Sequence, residues 1–143
     1  MPIRTAEAQW TGTVTDGQGT VTLGSGAFTG PYSFKSRMED GTGTNPEELL
    51  GAAHAGCFTM ALSAELTRAG FKPGRLHTDA KVRFDKVDGG FAITRIDLIL
   101  EATVPDIDDA TFQKHALSAK QNCPLSKALA GTDIHLQAQL KNA

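Results

Sequence analysis

Residues 45–68 read NPEELLGAAHAGCFTMALSAELTR, and the segment carries the start and stop signals of one long helix. Thr44 or Asn45 can cap it, Pro46 suits the first helical position, and Glu47 and Glu48 sit at the positive end of the dipole. The pattern runs to about Arg68, where Gly70 stops it and Pro73 follows. Gly51 and Gly56 lie inside and weaken the helix by roughly 1 kcal/mol each against alanine, which predicts close packing or a bend. Ala53, Cys57, Met60, Ala61 and Ala64 fall on one stripe, and the segment is apolar nearly all round, which predicts burial on more than one side.

Upstream of this helix the chain reads as β. Residues 5–14 alternate loosely, TDGQGT marks a turn, and residues 19–24 can pair back as a hairpin. GPY reads as a second turn, residues 32–38 (YSFKSRM) as another alternating strand, and EDGTGTN as a loop. Downstream, residues 76–87 put Leu76, Thr78, Ala80, Val82 and Phe84 on one face, and DGG turns the chain into residues 91–104. There the apolar phase switches after Ile93 to Ile96, Leu98 and Leu100, as a bulge would make it. A second helix follows over about 109–121, capped by Asp108 or Asp109, with Phe112, Ala116 and Leu117 as its apolar face. After the NCP break come a short helix, 124–130, and a last strand, 132–140. Strands segregated from helices make the fold class α+β.

A chain of 143 residues with 40% apolar and 21% charged residues suits one soluble domain, 1–143, with a real core. The longest apolar run falls short of a bilayer span, and MPIRTAEAQW has no signal-peptide core. The expected setting is therefore cytoplasmic, with no membrane partner. A net charge of −2 without a basic block argues against nucleic acid. Two cysteines are too few for a disulfide scaffold, and a pair that bridges in a reducing compartment is more often catalytic or redox-sensing than structural.

Those cysteines, Cys57 and Cys123, stand 66 positions apart. The thiolate is the reactive form of cysteine. Cys123 precedes Pro124, which places it near a helix N-terminus that favours an anion. Cys57 lies mid-helix among apolar residues, where burial raises a thiol's pKa, so reactivity there requires a cation. Arginine fits best, because it stays charged and can bind a carboxylate through two donors. Arg4 and Arg37 are the candidates, with Glu47 able to hold such an arginine. Glu47 and Cys57 are ten residues apart, roughly 15 Å along a straight helix. Either the helix bends near Gly51 or a second subunit supplies the carboxylate.

Plainer readings compete. By residue type, a cysteine on an apolar stripe is usually core, Arg37 a solvated residue and Glu47 a helix-end charge. His54 and Cys57 form an HxxC pair that is at most half a metal site, and Cys123 with His77, His115 or His135 has no recognisable zinc spacing. A cysteine hydrolase would need His54 beside the nucleophile.

The motif context tips the balance. GTNPEELLGAAHAGCFTMAL closely resembles the signature of the OsmC/Ohr family of thiol peroxidases, and NCPLSKAL resembles its second signature. DKVDGGFAITRIDL between them is similar to the hairpin of the OsmC subgroup, and the likeness covers nearly the whole chain. The resemblance implies antiparallel sheets packed around a long central helix in an intertwined homodimer with active sites at the interface. It implies a peroxidase that reduces organic hydroperoxides, and hydrogen peroxide less well. Cys57 matches the peroxidatic cysteine, Cys123 the resolving one, Glu47 the motif's glutamate and Arg37 the arginine of the OsmC subgroup. Phe58, Met60, Phe34 and Ala53 are candidates for an apolar wall. The implied reductant is an external dithiol (a lipoyl protein, thioredoxin or a small thiol), and no metal, haem, flavin or other cofactor is called for. The rivals are a non-catalytic stress protein holding an apolar ligand in the dimer pocket, and the cysteine hydrolase.

Overall fold

The computed structural model describes residues 1–142. The chain forms two compact units, one spanning Met1–Leu49 and one beginning at Leu50.

The first unit is a three-stranded antiparallel sheet in the order β1-β2-β3 followed by one short helix. β1 (Ala6–Thr11) and β2 (Gln18–Leu23) form the expected hairpin, with Ala6 opposite Leu23. The Trp10 and Tyr32 rings meet at 5.3 Å over Gly19, where a Cβ would collide with both. Two expectations fail here. GPY is not a turn but part of β3 (Thr29–Tyr32), since a proline without an N–H is tolerated on an outer strand. Residues 32–38 are not a strand, because Phe34–Met38 forms α1. A capping box overrides the alternation. Ser33 Oγ accepts from the Ser36 amide at 3.1 Å, and Ser36 Oγ accepts from the Ser33 amide at 2.8 Å. Ser36 Oγ also donates to the Thr44 carbonyl at 2.6 Å, tying α1 to the loop that leads into the long helix.

That helix, α2 (Pro46–Arg68), is continuous through both internal glycines. Asn45 caps it by accepting from the Glu48 amide at 2.8 Å. At the other end Gly70 takes φ +94°, the Gly70 amide donates to Thr67 and the Phe71 amide to Leu66, which together make a Schellman motif. Gly51 is a close-packing position, since a Cβ there would lie 3.3 Å from Val82 Cγ2, whereas Gly56 faces open space.

The second unit sets α2 against a second three-stranded sheet in the order β4-β5-β6. β4 (Leu76–Val87) and β5 (Gly90–Ala102) form the long hairpin, and the register shifts between Arg83 and Phe84, where the apolar phase change required a bulge. β6 (Asp133–Leu140) joins β5 in parallel, so this sheet is mixed rather than wholly antiparallel. The crossover between them contains α3 (Asp109–Asn122), capped by Asp108, and α4 (Pro124–Ala128).

Phe58, Leu62 and Leu66 of α2 pack with Ile96, Leu98 and Leu100 of β5 and with Phe112, Ala116 and Ala119 of α3. The buried stripe of α2 is therefore His54, Phe58, Leu62 and Leu66, not the one expected from the sequence. Cys57 and Ala61 border the core, while Ala53, Met60 and Ala64 are exposed. Bulky Phe58, Leu62 and Leu66 take the core, while Ala52, Ala53, Gly56 and Ala64 are left exposed. On α3, Leu117 is exposed and Ala119 fills its expected place. One described helix, α2, is long and apolar enough to cross a bilayer by length and composition, contrary to the expectation from the apolar runs, but its bulky face lies in this core.

Candidate active site

The fold brings the two cysteines together. Cys57, half-buried on α2, lies near the Cys123 thiol and the Leu125 backbone, close enough that both influence its titration. Both are free thiols. Burial is the main influence on Cys57 and pushes its thiol up from the ordinary value; the Leu125 amide opposes this, and neighbouring Cys123 adds to it. The upward push from burial is the one the sequence argument assumed for this thiol.

Cys123 is fully buried at the junction of α3 and α4. Its amide closes α3 on Ala119, while its own backbone turns extended and it becomes the N-cap of α4, with Pro124 first in the helix as expected. Its sulfur accepts from the Ser126 amide at 3.3 Å and stands 3.2 Å from the Ser126 hydroxyl. That hydroxyl in turn lies 2.8 Å from Nε2 of His54, which is fully buried. Nothing local in the sequence singles out Ser126, because only folding joins it to a histidine 72 positions away. Burial lowers the pKa of His54.

Arg37 and Glu47 also meet. Arg37 Nε donates to Glu47 Oε1 at 2.7 Å, from the last turn of α1 to the first turn of α2. Glu47 is buried, and its Oε2 takes no hydrogen bond among the described residues. Arg4, the other cation considered, is exposed near the start of the chain.

Of the proposed wall residues, Phe58 belongs to the core, Phe34 is half-buried, and Ala53 and Met60 are exposed. Met60 lines an open depression of about 520 Å³ with Gly56, Thr59 and Ser63. His54 spends its Nε2 on Ser126 rather than on Cys57, which is not the geometry of a cysteine hydrolase. Among the described residues no three His, Cys, Asp or Glu side chains cluster as a metal site requires.

Known proteins resemble the chain in sequence and in fold. The family model for OsmC-like protein matches residues 39–137. The chain is similar to the peroxiredoxin OsmC of Escherichia coli, with 50% identity over 137 residues and 95% of each chain covered. It is 31% identical to the organic hydroperoxide resistance protein OhrB of Bacillus subtilis over 107 residues, 74% of this chain and 76% of that one. The crystal structure of OhrB superposes with a TM-score of 0.69 at 28% identity, covering 96% of this chain and 98% of that one. A family model that matches residues 39–137, a shared fold and a relative with half its residues in common lead to one conclusion: the chain belongs to the OsmC family.

Proposed function

We propose that this OsmC-family thiol peroxidase reduces organic hydroperoxides to alcohols with Cys57 as nucleophile and Cys123 as resolving thiol. The observation that carries the reading is the approach of two free thiols from distant parts of the sequence. The Cys57 thiolate attacks the O–O bond, keeps one oxygen as a sulfenic acid, and releases an alkoxide that takes a proton to become the alcohol. Cys123 then attacks the Cys57 sulfur, the S–O bond breaks, and a disulfide and water result. An external dithiol, a lipoyl protein or a small thiol, returns both sulfurs to thiols. The cycle suits a cytoplasmic, reducing setting.

Arg37, held by Glu47, supplies the cation that Cys57 needs. Ten helical residues between Glu47 and Cys57 correspond to roughly 15 Å of axial rise, and α2 runs on through Gly51. The arginine pair of one copy therefore serves Cys57 of the other in a homodimer. The exposed small-residue face of α2, with Met60 at its centre, supports that assembly.

The test is the free-thiol content and intact mass of the reduced protein before and after one equivalent of cumene hydroperoxide. Loss of both thiols with the mass of two hydrogen atoms is expected, and Cys57→Ser should abolish peroxide consumption. Two surviving thiols, with cumene hydroperoxide merely held, would instead favour a ligand-binding protein.

A further inference from the structure

We propose that His54 is the proton acceptor for the resolving thiol, acting through the Ser126 hydroxyl. The inference rests on the two-cysteine reading above and adds to it a residue that positions and deprotonates Cys123.

The geometry is a buried line of three groups. Cys123 Sγ stands 3.2 Å from Ser126 Oγ, which stands 2.8 Å from His54 Nε2. His54 and Cys123 are fully buried and Ser126 nearly so, at 7% exposure, so bulk water does not easily take the thiol's proton. A buried thiol that must attack a sulfenic acid needs to lose that proton to a neighbour. Ser126 can pass it on, because a hydroxyl donates and accepts at once. His54 is the base within reach at the far end of the line.

A second feature points the same way. Nδ1 of His54 is buried and has no hydrogen-bond partner among the described residues. With the ring neutral and its proton on Nδ1, Nε2 is free to accept from Ser126. Burial favours this neutral form, and no charged side chain contributes to the shift. Among the described residues, Cys57 stands one turn on along α2 and Cys123 lies across Ser126, while Lys127 of α4 is exposed.

The step balances as follows. The Cys123 proton moves to Ser126 Oγ as the serine proton moves to His54 Nε2, leaving an imidazolium and a thiolate. The thiolate attacks the Cys57 sulfur, an S–S bond forms and the S–O bond breaks, and hydroxide leaves. Cys123 sulfur is oxidised by one unit and Cys57 sulfur reduced by one. Hydroxide takes a proton to become water, and the imidazolium gives up its own, so the net products are disulfide and water.

The experiment follows a single turnover of reduced protein with one equivalent of cumene hydroperoxide across pH, with acid quench, thiol blocking and intact mass. Wild type should pass to disulfide with little sulfenic acid at any time. His54→Gln keeps a polar group toward Ser126 but takes no proton. It should form sulfenic acid at the wild-type rate and then resolve it at least tenfold more slowly near neutral pH. The deficit should shrink as pH rises and Cys123 ionises unaided, whereas a purely structural loss would slow resolution by the same factor at every pH. Ser126→Ala, which removes only a hydroxyl, should behave like His54→Gln, and Ser126→Thr should restore the rate. Disulfide formation in His54→Gln and Ser126→Ala at the wild-type rate and with the wild-type pH profile overturns the histidine's role alone. Failure of the wild type itself to form the disulfide overturns the two-cysteine reading and this inference with it.

Discussion

At the scale of single residues, the question is how a thiol whose pKa burial has pushed up can attack a peroxide near neutral pH. Only the thiolate reacts, so the rate below the thiol pKa falls about tenfold for each unit by which that pKa rises. Arg37→Ala should therefore raise the Cys57 pKa. Peroxide consumption at neutral pH should drop by about an order of magnitude for each unit gained and recover as pH rises. Absorbance titration of the thiolate in a Cys123→Ser background checks it, and an unchanged curve would transfer the role to another cation such as Arg4. Glu47→Gln should weaken the hold on Arg37 and shift the same titration in the same direction by less. The sequence named Cys57, Cys123 and Glu47 because each sits in a local motif, and Arg37 because it is placed like the arginine of the OsmC subgroup. It also placed Glu47 where it could hold an arginine, and the 2.7 Å contact realises that. His54 with Ser126 was not legible as a pair, since nothing local in either stretch announces a contact across 72 positions.

Elements were legible where one physical signal dominated. Caps and glycines fixed both ends of α2, and the phase change along residues 91–104 marked the register shift opposite Arg83 and Phe84. Errors came where two signals competed. Residues 34–38 alternate like a strand, but the reciprocal bonds of Ser33 and Ser36 supply the orphan amides of a helix start. Ser33→Ala should cost α1 about 1 kcal/mol, seen as faster hydrogen exchange at the amides of Ser36 and Arg37. On α2 the small residues made every face look apolar, and size decided which face went in. Leu62→Ala, fully buried, should cost about 2–5 kcal/mol in denaturant unfolding.

For the whole molecule, the α+β class and the order of the elements from the long helix onward were legible, but the β3–α1 segment and the direction of β6 were not. Alternation along residues 132–140 shows a half-buried strand without saying whether it runs with or against its neighbour. Assembly is the prediction that belongs to this scale. Met60, 77% exposed beside Gly56 in an otherwise small-residue face, is the substitution site. Met60→Glu should convert a homodimer to monomer in sedimentation velocity and lower peroxide turnover with it, if the arginine of one copy serves the cysteine of the other. A monomeric wild type with full turnover would exclude that arrangement.

The meeting of Cys57 and Cys123 also has a polymer-physics consequence. A bond between sulfurs 66 positions apart would tie most of the second unit, including α3 and the β4–β5 hairpin, into one covalent ring. Ring closure removes unfolded-chain entropy on the order of 4 kcal/mol for a loop of this length. Each round of oxidation would then tighten the fold and each round of reduction loosen it, so the melting temperature of the protein would report the state of its sulfurs.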